Sequence, residues 1–419
     1  MTQQKVKNKM PEFLNLLNPQ EALKLFLSTI PKSPKQETIL TKDALGRVTA
    51  EAFFAPNPLP EFPRTTVDGF AVRATDTFGA NESLPAYLSQ IGEVPMGDKP
   101  KFSLGKGECA LIHTGGMIPD RADAVIMVEN TQTSRENEIE ILKAVAVGEN
   151  IIHIGEDIQQ GDIMIPQGVI LRPAEIGGLM AFGVTEIKVA RKPVVGILSS
   201  GDEVIPPDQT PNLGQVRDIN GYSLKALVEQ AGGNPNYYGI LPDSKEAMIS
   251  TVVIAKEECD VIVITAGSSA STRDLTAIVI DQLGEPGVLV HGVNVRPGKP
   301  TILGVCDGKA MIGLPGNPVS ALVIAGLFVV PAINKLLGIE TVEFQSGVKA
   351  RLTINLASQA GREDWVPVRL NRTLDGWEAL PIFGRSNLIF NLVKANGLIR
   401  IPPSATGLSA GEDVKVELF

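Results

Sequence analysis

The sequence predicts a multidomain protein of mixed α/β and β class: an elongated mixed N-terminal domain with an inserted β-rich module, a doubly wound parallel α/β domain, and a small C-terminal β-barrel. Three observations carry this. From Val194 to Val330 strand and helix signals alternate, the pattern of a parallel sheet with covering helices. Inside that stretch, Asp260-Val-Ile-Val-Ile-Thr265 is a β-branched run without polar interruption, as expected of a strand covered on both faces. Over 84–128 and again after Gly338 the signals are short strands punctuated by glycine and turn residues. The expected domains are 1–55 with 148–190 (a discontinuous linker domain), 56–147 (the inserted module), 191–340 and 341–419.

Taken in order, Asn18-Pro-Gln-Glu starts a helix with a cap, a first-position proline and an acidic first turn; Pro31 and Pro34 end it. Four prolines between Pro56 and Pro63 forbid regular structure and mark a crossing between domains, after which Asp68-Gly69 turns into a strand. A helix is expected over 173–182. In the α/β domain, strands are expected over 194–198, 237–241 and 260–265. Helices are expected over 220–232, with an Asn220 cap and a glycine stop, from an Asp243 cap, and over 274–283. The turn Pro315-Gly-Asn-Pro318 places Asn317 as a cap and Pro318 at the first position of a helix running to Val330. Five strands follow, over 348–356, 365–370, 377–382, 397–401 and 413–418.

The composition, 43% hydrophobic and 20% charged, is that of a soluble globular protein. A net charge of -9 argues against nonspecific nucleic-acid binding, which needs a basic field. Cys109, Cys259 and Cys306 form no metal-ligand or disulfide spacing, which fits a reducing cytoplasm. Residues 1–10 lack a signal-peptide apolar stretch, and the apolar stretch 321–333 is expected to be a buried helix, too short to span a membrane and broken by Pro331.

Open α/β sheets bind ligands beyond the carboxyl ends of their strands. The loop after Thr265 carries Gly267, Ser268, Ser269 and Asp274; Ser199 to Glu203, Val295-Arg-Pro-Gly-Lys-Pro300 and Pro315-Gly316-Asn317 are expected on the same rim. Glycine loops and helix starts offer backbone N–H groups to an oxyanion, and Arg296 and Lys299 add fixed positive charge. Glu203, Asp243 and Asp274 supply carboxylates, which beside a phosphate point to Mg²⁺. His113, His153 and His291 sit in no nucleophile context, so acyl-transfer hydrolysis is not expected.

These strings resemble the molybdopterin molybdotransferases, the MoeA-like molybdenum insertases related to the catalytic part of gephyrin. The resemblance spans nearly the whole chain: Thr66-Val-Asp-Gly-Phe-Ala-Val-Arg73, Thr114-Gly-Gly with Pro119 and Ala122-Asp-Ala-Val, Gly155-Glu-Asp-Ile158, Ser200-Gly-Asp-Glu203, Arg296-Pro-Gly-Lys-Pro300 and Gly313-Leu-Pro-Gly-Asn-Pro-Val-Ser-Ala321. It implies a usually dimeric enzyme that inserts molybdenum from molybdate into adenylylated molybdopterin with release of AMP, assisted by Mg²⁺. By the same resemblance Ser269, Arg296, Lys299, Pro300, Arg362 and Ser386 lie around molybdate and Asp243 and Asp274 are metal ligands. Asp68, Thr114, Asp157 and Glu203 belong to the site, with Asp68 and Thr114 arriving from the partner subunit of a homodimer. The chain departs from the family pattern at Ala266 and Ser271, where glycines are expected, at Arg121, likewise in a glycine's place, and at Arg296, where lysine is more usual. A Ser271 required at positive φ would strain its loop by about 1 kcal/mol or more. Two other readings compete: a non-catalytic molybdopterin-binding carrier or scaffold, and a metal-dependent hydrolase of ordinary nucleotide phosphoanhydrides.

Overall fold

The computed structural model of the protein describes residues 16–31, 34–266, 270–339 and 347–419, with the side chains of 266 and 270–274 outside that description. The chain forms two compact units, one of Met1–Glu51, Gln167–Ile176 and Thr185–Phe419, the other of Ala52–Pro166 and Gly177–Val184.

The first unit is built on a six-stranded sheet in the order Asn234–Leu241, Val194–Ser200, Val261–Ala266, Lys309–Pro315, Ile302–Cys306, Pro286–His291. The first four strands are parallel, as the alternation of helix and strand predicts. The fifth, Ile302–Cys306, runs antiparallel to both its neighbours, so Pro286–His291 points the same way as the first four. Asp307 and Gly308, at φ 51 and 81, make a two-residue hairpin turn, far too short for a parallel crossover. Both faces are covered. Val195, Ile197, Val261, Val263, Ile312 and Leu314 join one core with Leu224, Ile324 and Phe328, while Leu198, Ile262, Ile264 and Met311 join the other with Met248, Val252 and Ile280. Successive side chains of one strand thus enter different cores, so neither alternate position can be polar.

Several local expectations are corrected. Helix Ala270–Gln282 starts four residues before the expected 274. Ser271 therefore has helical backbone, no positive φ is required of it, and serine suits a helix interior better than glycine. Ile219, not Asn220, is the N-cap of helix Asn220–Gln230; the Asp218 carboxylate accepts from the Gly221 N–H at 3.0 Å in the capping manner. Ser244, not Asp243, caps Lys245–Glu258, its hydroxyl accepting from the Ala247 N–H at 3.3 Å. The apolar helix is also longer than expected: it runs 20 residues, Pro318–Leu337, enough by length and composition to cross a membrane. A π-helical turn at Ala325–Val329 relaxes the backbone just ahead of Pro331, which lies in the first turn of Val330–Leu337. Ile324, Ala325, Phe328 and Val329 are fully buried in the sheet's core, as the buried-helix reading requires.

Helix Pro19–Thr29 has the expected Asn18 cap, whose side chain accepts from the Glu21 N–H at 2.9 Å. Its Ala22 and Phe26, fully buried, belong to the same core as the sheet. At the other end of the chain, Glu363–Thr373, Gly376–Pro381, Val348–Leu352, Asp413–Leu418 and Gly397–Ile401 pair in that order, and the last pairs back onto the first. This closes the expected five-stranded barrel around Leu352, Val368, Ile399, Ile401 and Val416.

The second unit centres on a six-stranded, mostly antiparallel sheet spanning 69–141, the expected β-rich module. Arg121, standing where the family motif has glycine, is held at φ 69. A side chain there costs roughly 1–2 kcal/mol, and glycine's greater freedom in the unfolded chain offsets about half. Arg121→Gly is therefore expected to stabilise the protein by about 0.5–1 kcal/mol, read as a rise in the thermal or urea midpoint. Phe26→Ala is expected to cost about 3–5 kcal/mol; a loss under 1 kcal/mol would show that the N-terminal helix is not part of the α/β core.

Candidate active site

Strand register places the loops that carry the motifs on one rim. Ser199 pairs with Thr265, Ser200 with Leu241 and Ala266 with Pro315, so the chain leaves all four parallel strands at the same level. Ile302 pairs with Gly313, which brings loop 292–301 to that rim as well. This loop then forms a two-residue strand, Val295–Arg296, that pairs in parallel with Glu363–Asp364 of the barrel. The Glu363 N–H donates to Asn294 O at 3.1 Å, and the Asn294 amide donates to Gly361 O.

At this junction lies an open cavity of about 620 Å³. Its walls come from segments distant in sequence: 295–300, 315–320, 356–367 and 382–391. Four cationic side chains line it, Arg296, Lys299, Arg362 and Arg385, against a single carboxylate, Asp364. Arg362 grips Asp364 with two bonds, Nε to Oδ1 at 2.6 Å and Nη2 to Oδ2 at 2.9 Å. That pairing raises the guanidinium pKa and fixes its plane while leaving N–H groups over. Arg296 Nη1 stands 4.0 Å from the same buried carboxylate. Glu363, on the opposite face of the strand, accepts from Trp365 Nε1 and Arg400 Nε, both at 2.8 Å.

The long helix aims its N-terminus at the cavity, adding positive potential. Asn317 occupies the N-cap position as expected, but its side chain makes no capping bond. Instead its amide donates to Ser386 Oγ at 3.0 Å, and the Val319 N–H donates to Ser386 O at 3.1 Å. The turn is also held from below, where the Asn220 amide donates to Gly316 O at 2.8 Å. Gly298 must be glycine: at φ 115 a Cβ would sit 2.3 Å from Ile324 Cγ1.

Farther along the rim, Ser200 Oγ donates to Asp243 Oδ1 at 2.6 Å and the Asp243 N–H donates to Asp202 Oδ1 at 3.1 Å. Beneath them the buried Asp218 carboxylate accepts from Ser199 Oγ at 2.7 Å and from the Tyr237 hydroxyl at 2.5 Å. Burial, with that carboxylate next to it, pushes the Tyr237 phenol upward.

This architecture matches known proteins along nearly its full length. The MoeA N-terminal region (domain I and II) matches residues 17–183, a probable molybdopterin binding domain 196–335, and the MoeA C-terminal region (domain IV) 349–419. A putative molybdopterin biosynthesis protein of Methanocaldococcus jannaschii is 35% identical over 93% of this chain and 94% of its own. The chain belongs to the MoeA family. A relative from Nostoc sp. named molybdopterin molybdenumtransferase is 33% identical over 94% of this chain and 91% of its own. The crystal structure of a molybdopterin biosynthesis MoeA protein from Pyrococcus horikoshii superimposes with a TM-score of 0.85 at 34% identity, covering 97% of this chain and 100% of that one.

Of the residues that the sequence singled out, Arg296, Lys299, Pro300, Pro315, Asn317, Arg362 and Ser386 line this cavity. Gly316 lies beside it, its carbonyl turned to Asn220. Asp243 and Glu203 follow the carboxyl ends of strands at the other end of the rim and are not in the cavity wall. Ser200 and Ile302 lie on strands three places apart in the sheet, about 14 Å at one strand spacing each. Gly267, Ser268 and Ser269 lie outside the described residues; Asp274 falls in helix Ala270–Gln282, its side chain likewise outside the description.

Asp68, Thr114 and Asp157 belong to the second unit. There Asp68 Oδ1 accepts from the Thr114 N–H at 2.8 Å, which holds the carboxyl below the usual carboxylate range. His113 stands beside it, Nδ1 3.6 Å from Asp68 Oδ1 and Nε2 3.1 Å from Glu93 Oε1. Asp157 is exposed and its N–H donates to Leu59 O.

Four residues escaped the sequence reading: Asp364, Arg385, Asp202 and Asp218. Asp364 had a signal, since a carboxylate two residues from Arg362 in extended chain shares its face. Asp202 stood inside the quoted Ser200 to Glu203 motif, and Arg385 directly precedes Ser386, which was chosen. Asp218 had none, because what makes it matter is the meeting of two strands and a helix.

Among the described residues no cluster of three or more His, Cys, Asp or Glu could hold a metal ion by itself. The donors near Asp243 are all oxygens, Ser200 Oγ and the Asp202 carboxylate. Such a sparse hard set fits Mg²⁺, which keeps waters and takes further ligands from substrate phosphates.

Gly298→Ala is expected to destabilise the protein by about 1–3 kcal/mol through overpacking and backbone strain. Thermal unfolding measures it, and a change below 0.5 kcal/mol would mean that the Arg296 to Pro300 loop is not wedged against the long helix.

Proposed function

We propose that this chain is a molybdopterin molybdotransferase that inserts molybdenum from molybdate into adenylylated molybdopterin and releases AMP, the last step of molybdenum-cofactor synthesis. The observation that carries the reading is the cavity itself, with four cations and hydroxyl donors around one buried carboxylate at the loop end of the sheet. A tetrahedral dianion suits this set, taking charge-assisted bonds from Arg296, Lys299 and the free N–H groups of Arg362, and a hydroxyl from Ser386. Asp364 spares Arg362 the cost of ordering when the anion arrives, because the guanidinium is already fixed.

The substrate is long, and the rim offers it two polar ends. Its dithiolene meets molybdate in the cavity, beside Pro300 and the Pro315-Gly316-Asn317 turn. Its phosphoanhydride lies toward Asp243 and Glu203, with Gly267, Ser268 and Ser269 as further substrate-binding residues. An oxygen nucleophile forms a bond to phosphorus as the anhydride P–O bond breaks, and AMP departs with that bond's electron pair. Proximity and charge neutralisation carry this chemistry without a side-chain nucleophile. Asp243 and Asp274 would hold Mg²⁺, which supplies positive charge to the phosphoanhydride oxygens. Asp68, Thr114 and Asp157 act at the same site, with Asp68 and Thr114 contributed across a homodimer, and the enzyme works in the cytoplasm as four domains.

The test is AMP release from adenylylated molybdopterin on addition of molybdate and Mg²⁺. Lys299→Ala and Asp274→Ala are each expected to lower the rate about 100-fold or more, by loss of a charge made for the transition state. Molybdopterin binding without any AMP release by the intact protein would overturn the reading in favour of a carrier.

A further inference from the structure

We propose that Arg385 is an anion-binding residue of the cavity that sets its preference for a tetrahedral dianion over a monoanion of the same shape; the inference rests on the oxyanion reading above and assigns a residue that the motifs did not. An exposed arginine on a loop is ordinarily a solvated surface group. Arg385 differs in how firmly its backbone is held. Its carbonyl accepts from the Leu388 N–H at 3.1 Å and from the Asn391 amide at 3.3 Å. The next residue, Ser386, is bonded twice to the start of the long helix, through Asn317 and Val319. On the other side, Gly384 leaves room for Asn391, whose Nδ2 would lie 2.2 Å from a Cβ placed there.

The side chain presented by this pinned loop lines the cavity and makes no hydrogen bond or ion pair among the described residues. Its neighbours in the wall are three more cations. Arg362 is committed to Asp364, Arg296 reaches the same carboxylate only at 4.0 Å, and Lys299 has no carboxylate partner among the described residues. Four converging cations with one carboxylate repel one another, and an entering anion relieves that repulsion. The relief scales with the anion's charge. Each cation therefore contributes about twice as much free energy to holding a dianion as to holding a monoanion of the same size, so removing Arg385 must narrow the gap between them.

The test is calorimetric titration of the full-length protein with tungstate and with perchlorate at constant ionic strength. Arg385→Gln is expected to weaken tungstate binding about tenfold and perchlorate about threefold, so that the affinity ratio falls about threefold. Arg385→Lys, which keeps the charge, is expected to restore most of the ratio, and equal thermal midpoints for the two variants exclude a folding defect as the cause. An unchanged ratio in Arg385→Gln, whether both affinities fall equally or neither falls, overturns the proposal. If the ratio is unchanged while Lys299→Ala still abolishes tungstate binding, only the assignment of Arg385 falls. If the unmodified protein binds no tungstate, the oxyanion reading falls and this inference with it.

Discussion

The site in the larger unit depends on the short parallel pairing of Val295–Arg296 with Glu363–Asp364. This is where a loop of the α/β sheet becomes an edge strand of the barrel, and it puts two buried carboxylates side by side. Burying a carboxylate is costly unless donors meet it. Here each has its own set: Asp364 takes Arg362 on the cavity side, and Glu363 takes Arg400 and Trp365 on the other. If the pairing slipped by one residue, the two carboxylates would exchange faces. Asp364 and Arg362, which share a face of their own strand, would turn away from the cavity together, and the cavity would lose the group that orients its cations.

The rest of the site is arranged around that seam. Gly298 allows the loop to lie against Ile324 of the long helix, so the seam and the helix start are held at a fixed separation. Ser386 then ties the barrel loop to the same helix start through Asn317 and Val319. Both contacts lie in the first turn, the part of a helix whose N–H groups have no partners within the helix. The second half of the rim is steadied by different means. Asp218 is buried and draws its three hydrogen bonds from hydroxyls and a backbone N–H, binding Ser199, Tyr237 and the start of the next helix to one another. Two rigid polar ends about three strands apart suit a long substrate with a polar group at each end.

The sequence reading was most reliable where one physical signal acted alone. The unbroken β-branched run at 261–265 demanded a strand covered on both faces, and Asn18-Pro19 marked a helix start. It was least reliable where a polar side chain had two possible partners. Asn317 and Asp243 both stand where a cap is expected, yet Asn317 reaches Ser386 and Asp243 takes the Ser200 hydroxyl, since partners brought by distant segments compete with the local backbone. The helix containing Ser271 starts earlier than expected because its small polar first residues resemble loop in sequence, whereas Ala270 and Arg273 favour helix once the strand before them is fixed.

By itself, the sequence determined the class of the fold, the strand ends that carry ligand loops, the MoeA family, and seven of the residues that line the cavity: Arg296, Lys299, Pro300, Pro315, Asn317, Arg362 and Ser386. Those follow from periodicity, turn chemistry and motif order, all of which are local along the chain. Only the tertiary structure decided that Arg296, Lys299, Arg362 and Arg385 share one wall, that Asp364 is the carboxylate they surround, and that Ile302–Cys306 enters the sheet antiparallel to its neighbours. Each of these joins segments separated in sequence, and the energy of bringing like charges or buried carboxylates together depends on distances that no spacing along the chain encodes.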